Sequence, residues 1–314
     1  MYYIGVDLGG TNLRAGLVTS KGNVIHLKST PTYRERGYEE VIEDLAVLIT
    51  DVIEDGNMSV SEIESIGIGV PGSINTKKGT VVYANNLTFR NVPIIEEIRK
   101  HINLPVFIQN DANCAALAES IAGAAKNVSD SITITLGTGI GGGIVLNGNI
   151  FCGFNDAAGE IGHTVIVSGG EPCTCGRKGC WEAYASATAL IRQTKKAAVD
   201  NPESLINSLV DNDPNKITAR TPFDAEHQND PTAQRVIEQY ITFLSEGLID
   251  LINIFTPELT VMAGGVSNQG ENLLDRIRPR VEKYIYFKGD PHTKIVSSEL
   301  GGEAGIVGAA MLGA

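Results

Sequence analysis

Along the first 25 residues the apolar positions come in short runs broken by glycine. Tyr3-Ile4-Gly5-Val6 leads into Asp7-Leu8-Gly9-Gly10-Thr11-Asn12, residues 13–18 leave that loop, and Ser20-Lys21-Gly22-Asn23 turns into Val24-Ile25-His26. The pattern predicts strand, glycine loop, strand, turn, strand. It returns 128 residues later, where residues 131–136 enter Gly137-Thr138-Gly139-Ile140-Gly141-Gly142-Gly143, Ile144-Val145-Leu146 follows, and Asn147-Gly148 turns into Asn149-Ile150-Phe151. Such repetition points to a duplicated α/β unit, two halves around a central cleft.

Between the repeats, Val41, Leu45, Leu48, Ile49, Val52 and Ile53 follow helical spacing. Residues 66–70 read as a buried strand ending at Pro71-Gly72, residues 94–101 as a short helix, and residues 106–108 as a strand. An alanine-rich helix then runs from Asn110-Asp111 to about Ala125, with Asp111 as its expected N-cap. After Trp181, one apolar face from Val236 to Phe255 predicts a long helix stopped by Thr256-Pro257. Residues 259–262 form a strand into Ala263-Gly264-Gly265, and Asp230-Pro231 reads as a break between helices.

Charge narrows the partners. The 314 residues hold 25 Lys+Arg against 37 Asp+Glu, net −12, with no basic block, which argues against nucleic acid and anionic membrane surfaces. The longest uncharged stretch, residues 131–155, contains seven glycines and three asparagines and should not insert in a bilayer. The N-terminus has no basic region or cleavage site, so a cytoplasmic enzyme is expected. Five cysteines do not suit a secreted disulfide framework. Of 35 glycines, 13 fall within residues 137–179 and only Gly247 within residues 181–263, so the surplus is local.

Gly137-Thr138-Gly139-Ile140-Gly141-Gly142 satisfies G-x-G-x-x-G, yet a strand and hairpin follow where a dinucleotide site needs a helix. No P-loop motif occurs. What remains is two glycine hairpin loops offering N–H groups and a Thr hydroxyl to phosphate oxygens, with Asp7 placed to hold Mg²⁺ through water. Read as plain tight turns, these loops would bind nothing. The first loop, with Asp7, Gly9, Gly10, Thr11 and Asn12, and the second, with Gly137, Thr138 and Gly139, resemble the phosphate motifs of the actin/hexokinase/Hsp70 ATPase fold. Ala263-Gly264-Gly265 resembles its adenosine motif. The resemblance implies a two-domain, ribonuclease H-like ATPase that uses ATP with Mg²⁺. The expected division is a small domain of residues 1–112 plus 301–314 and a large one of residues 113–300 carrying the cysteine loop and a helical segment.

Cys173-Thr174-Cys175-Gly176-Arg177-Lys178-Gly179-Cys180 puts three thiols within eight residues. With His163 as fourth ligand they make a Cys₃His set for one structural Zn²⁺, all four positions being filled by protein. Cys114 and Cys152 are read as inert buried thiols. Glu160-x-x-His163 followed by Cys173-x-Cys175-Gly176-x-x-Gly179-Cys180-x-Glu182 is similar to the signature of the ROK family of repressors and sugar kinases, and with the phosphate loops the likeness covers nearly the whole chain. Asp7 leaves no room before it for the DNA-binding segment of the repressors, so the resemblance implies a kinase, most like the glucokinase group.

Phosphoryl transfer to a sugar hydroxyl needs a base near the attacking oxygen. Asp111 stands where a strand gives way to a helix, a junction that projects side chains toward ligands, and the resemblance assigns it the same role. The resemblance also implies that Gly72, Asn86, Asn110, Glu160, His163 and Glu182 contact the sugar. In one respect the chain departs from the glucokinase pattern: Thr88-Phe89 stands where Pro-Trp is common. The expected activity is ATP-dependent phosphorylation of the 6-hydroxyl of glucose, with N-acetylglucosamine, N-acetylmannosamine, mannose or fructose as alternative acceptors. A non-catalytic sugar sensor is disfavoured by the retained Asp111, and a chaperone or filament ATPase would have no use for the cysteine set. A homodimer, or a dimer of dimers, is expected by resemblance alone.

Overall fold

The computed structural model describes all 314 residues. In chain order the strands and helices are β1 (Tyr2–Leu8), β2 (Asn12–Thr19), β3 (Val24–Pro31), α1 (Tyr38–Asp55), β4 (Ile63–Val70), β5 (Ser73–Asn75), β6 (Thr80–Ala84), β7 (Phe89–Val92), α2 (Ile94–Arg99), β8 (Val106–Asn110) and α3 (Asp111–Ala122). They continue as β9 (Ser131–Leu136), β10 (Ile140–Leu146), β11 (Asn149–Ile150), α4 (Glu182–Ala185), α5 (Ala187–Asp200), α6 (Leu205–Leu209), α7 (Thr221–Glu226), α8 (Pro231–Phe255), β12 (Leu259–Ala263), α9 (Glu271–Tyr284), β13 (Lys294–Ser297) and α10 (Ala304–Ala310). The protein is α/β, with two five-stranded sheets in the orders β3-β2-β1-β4-β8 and β11-β10-β9-β12-β13, and a small sheet β5-β6-β7.

The chain forms two compact units, residues 1–133, 142–159 and 298–314 in one, and residues 134–141 and 160–297 in the other. Both α3 and α10 belong to the first unit. A Cβ on Gly308 would sit 1.7 Å from the carbonyl of Cys114, so the two backbones touch. The other face of the same helix lies on the sheet: a Cβ on Gly5 would meet Ile306 O at 1.9 Å, and one on Gly67 would meet Ala309 O at 1.7 Å. No side chain fits there.

In the first unit β1 and β2 pair antiparallel from Tyr2↔Thr19 to Leu8↔Leu13, and the Gly9-Gly10-Thr11 loop is their connection. Strand β4 is buried at every position but Glu64, as a central parallel strand should be. The predicted helix at residues 41–53 is α1, and its apolar positions are buried with those of β1, β2 and β4.

The second unit is organised on α8. Asp230 caps that helix by accepting from Ala233 N–H at 2.7 Å, and Pro231 is its first residue. The Asp230-Pro231 break is therefore a helix start. No helix is long and apolar enough to cross a membrane.

Candidate active site

In the first unit the parallel strands β1, β4 and β8 end level: Asp7 pairs with Gly69, and Val70 with Asn110. Open α/β sheets collect ligand-binding groups at the carboxyl ends of neighbouring parallel strands. Past β1, the first glycine loop is closed on itself by Gly9 N–H to Asn12 O, 3.1 Å. Thr32 holds its carbonyls, Oγ1 donating to Gly9 O at 2.7 Å and N–H to Thr11 O at 2.8 Å. Asp7 is half-buried at the loop's root; burial pushes its carboxyl above the usual range, opposed by Arg14, whose Nη1 stands 4.0 Å away.

Helix α3 is capped by Asn110 and not by Asp111. Asn110, with an extended backbone, accepts at Oδ1 from Ala112 N–H (2.9 Å) and Asn113 N–H (3.3 Å), while Asp111 is already helical. The expected cap thus moves one residue, because Asn110, just outside the helix with an extended backbone, is the side chain that reaches both the Ala112 and Asn113 amides. Asp111 occupies the first helical position, where an anion is favoured by the helix dipole, and its Oδ1 accepts from Ala112 N–H at 2.9 Å. Asn110 Nδ2 donates to Gly72 O at 3.3 Å. Gly72 has φ of 96°, and a Cβ there would strike Tyr83 O at 2.2 Å. Asn86 sits on the first loop, its Cβ 2.9 Å from where a Gly10 Cβ would be, and its carbonyl accepts from Arg34 Nη1 at 2.8 Å.

Sequence reasoning missed Gln109. Its Oε1 accepts from Asn110 N–H (2.8 Å) and from Asn113 Nδ2 (3.1 Å), so a buried amide fixes the strand-to-helix junction that carries Asp111. A polar residue ending the buried strand β8 was the available signal. Gln109 Nε2 also donates to the Cys152 thiol at 3.4 Å. Cys152 is half-buried and not fully buried, whereas the Cys114 thiol is fully enclosed and burial pushes its pKa well up.

In the second unit the loop Gly137-Thr138-Gly139 is held in the same manner. Gly137 N–H donates to Gly139 O (3.0 Å), Ala187 N–H to Gly137 O (2.9 Å), and Thr188 Oγ1 to Thr138 O (2.7 Å). All three loop carbonyls are thereby occupied by donors of the chain itself. Gly264 lies against the residue before the loop: a Cβ on it would be 2.6 Å from Leu136 O, which brings the turn ending in Gly265 beside Gly137. Glu182 opens α4 and accepts at Oε2 from Ile140 N–H, 3.0 Å. The Glu160–His163 turn backs onto the same residue, since a Cβ on Gly162 would meet Ile140 O at 2.3 Å. Glu160 itself is exposed.

The ligand atoms of His163, Cys173, Cys175 and Cys180 all lie within 4.8 Å of one another, and none of the thiols is in a disulfide. Cys173 Sγ is 3.5 Å from His163 Nδ1, and Cys175 Sγ is 3.6 Å from Cys180 Sγ. Tetrahedral zinc with bonds of about 2.3 Å to sulfur needs ligand separations of about 3.8 Å, so the donor set fits. Gly176 and Gly179, with φ of 89° and 87°, turn the backbone so that the thiols converge. Burial and the neighbouring thiols push Cys180 up to about 12. The Cys175 thiol is pulled down, chiefly by the Arg177 backbone N–H. Three thiolates so close require a cation to coexist.

Two sheets of this order, glycine loops after β1 and β9, and a Cys₃His cluster define an α/β protein with a candidate metal site. The chain belongs to the ROK family, whose model matches residues 3–314. It is 36% identical to the glucokinase of Halalkalibacterium halodurans over 99% of this chain and 94% of that protein. It is 37% identical to the glucokinase of Thermotoga maritima over 98% and 96%. Among solved structures, the ROK family glucokinase from Streptomyces griseus, in complex with glucose and AMPPNP, superposes with a TM-score of 0.86 at 35% identity, covering 99% of both chains.

Proposed function

We propose that this chain is an ATP-dependent hexose kinase that phosphorylates the 6-hydroxyl of glucose. The observation that carries the reading is the likeness, over 99% of both chains, to a glucokinase bound to glucose and AMPPNP. In this reading the 6-hydroxyl gives its proton to the Asp111 carboxylate while its oxygen bonds to the γ-phosphorus. The bond from that phosphorus to the β–γ bridging oxygen breaks, and ADP leaves. Gly9, Gly10, Thr11 and Asn12, with Gly137, Thr138 and Gly139, would bind the phosphates, and Gly264 and Gly265 the adenosine. Asp7 is the one carboxylate of the first loop and would hold the Mg²⁺ that accompanies ATP through water. Gly72, Asn86, Asn110, Glu160, His163 and Glu182 would bind the sugar.

His163, Cys173, Cys175 and Cys180 would hold one structural Zn²⁺, which when bound fixes the imidazole through Nδ1. That leaves His163 Nε2 for a sugar hydroxyl. The like strand orders of the two large sheets support a duplicated strand, loop and hairpin unit. A homodimer acting on small molecules, without nucleic acid, completes the proposal.

One feature bears on the choice of acceptor. Thr88 has φ of 60°, a conformation closed to proline, so the turn after Asn86-Leu87 is built differently from one carrying Pro at that position. Glucose is expected to lead a panel containing mannose, fructose, N-acetylglucosamine and N-acetylmannosamine by roughly tenfold or more in kcat/KM. If an N-acetylated sugar ranks first in that coupled assay, the glucose assignment is wrong and the hexose kinase reading stands.

A further inference from the structure

Ile140, the first residue of β10, is the meeting point of three segments in the second unit. Its N–H donates to Glu182 Oε2 at 3.0 Å, its carbonyl abuts Gly162 of the Glu160–His163 turn, and it directly follows the 137–139 loop. A Cβ on Gly139 would lie 2.1 Å from Glu182 Oε2, so the carboxylate fills the space that any larger residue would need. Glu182 is held from behind. It lies two residues past Cys180, and the intervening Trp181 is buried, donating from Nε1 to Phe243 O at 2.9 Å.

We infer that Glu182 is a positioning residue for the 137–139 loop, setting that loop for nucleotide before any sugar arrives. The inference rests on the reading of residues 137–139 as a phosphate loop. Oε2 is the atom committed to Ile140 N–H. Oε1 carries no bond to the loop and is the atom a sugar hydroxyl would use. One carboxylate then touches both sides, and a sugar that pins Oε1 also steadies the loop. Linkage requires the reverse as well: nucleotide should raise sugar affinity by the same factor.

The test is nucleotide binding without sugar, by calorimetric titration of AMPPNP with Mg²⁺ into the zinc-loaded full chain. Glu182→Ala removes the acceptor and is expected to weaken AMPPNP roughly tenfold, the scale of a hydrogen bond to a charged group. Glu182→Gln keeps an oxygen for Ile140 N–H and should recover most of that loss. If Glu182→Ala binds AMPPNP as wild type does, and loses only sugar affinity, the inference is overturned. Gly139→Ala gives an independent arm. It should weaken AMPPNP in the wild-type background and add little in the Glu182→Ala background, because the clash partner is gone. Strictly additive losses would overturn the coupling. A wild-type chain that binds no AMPPNP would overturn both this inference and the functional reading, whereas normal wild-type binding with an unaffected Glu182→Ala overturns this inference alone.

Discussion

Asp111→Ala is expected to fold, bind glucose and AMPPNP close to wild type, and lose kcat by about 10²–10⁴-fold, the contribution of a positioned general base. The fold should survive because the cap of α3 is Asn110, which keeps its bonds to the Ala112 and Asn113 amides when Asp111 is truncated. Removing an acidic residue from the first turn costs about 0.3–1 kcal/mol of dipole interaction. Gln109 holds the junction from beneath and is untouched by the change. Loss of kcat with KM preserved therefore isolates a group that acts at the transition state. Near-native turnover would remove Asp111 from the mechanism, and parallel loss of stability and binding would make it structural. Initial-rate kinetics with a thermal melt separates the three.

The second large effect is expected at the cysteine knuckle. Metal analysis of the purified chain should find one zinc per molecule, and Cys175→Ala should lose it. With one of the four ligands removed the cation is lost, and Cys173, Cys180 and His163 no longer share the centre that would hold them together. The knuckle should then loosen, taking with it His163, whose Nδ1 faces Cys173 Sγ, and the Glu160 turn. Sugar KM is expected to rise roughly tenfold or more, the scale seen when the support of a site is removed. Because Glu182 follows Cys180 by two residues and binds Ile140 N–H, nucleotide affinity should fall as well. A metal-free chain of full activity would contradict the zinc assignment.

The convergence of His163, Cys173, Cys175 and Cys180 was legible because metal-ligand chemistry needs residue types at fixed spacing. Three thiols and a histidine within 18 residues, and glycine loops after apolar runs, leave few physical alternatives. The N-cap of α3 was misplaced because Asn and Asp are equally good caps, and sequence cannot say which of two adjacent residues is already helical. Strands β5, β6 and β7 went unread, being three to five residues long with exposed positions interleaved. The glycine surplus was only partly a ligand signal. Gly5, Gly67 and Gly308 are glycines so that α10 can lie flush on strand and helix, a demand visible only once those elements meet. The bond from Ile140 to Glu182 spans 42 residues and follows from no local pattern.

In the proposed reaction this chain moves the γ-phosphoryl group of ATP to a hexose 6-hydroxyl. Phosphorus NMR of the purified protein with ATP, Mg²⁺ and glucose tests it directly. Glucose 6-phosphate and ADP are expected in equal amounts, with negligible ADP when glucose is left out. ADP released at the same rate with and without sugar, or no consumption of ATP by any hexose, would contradict it.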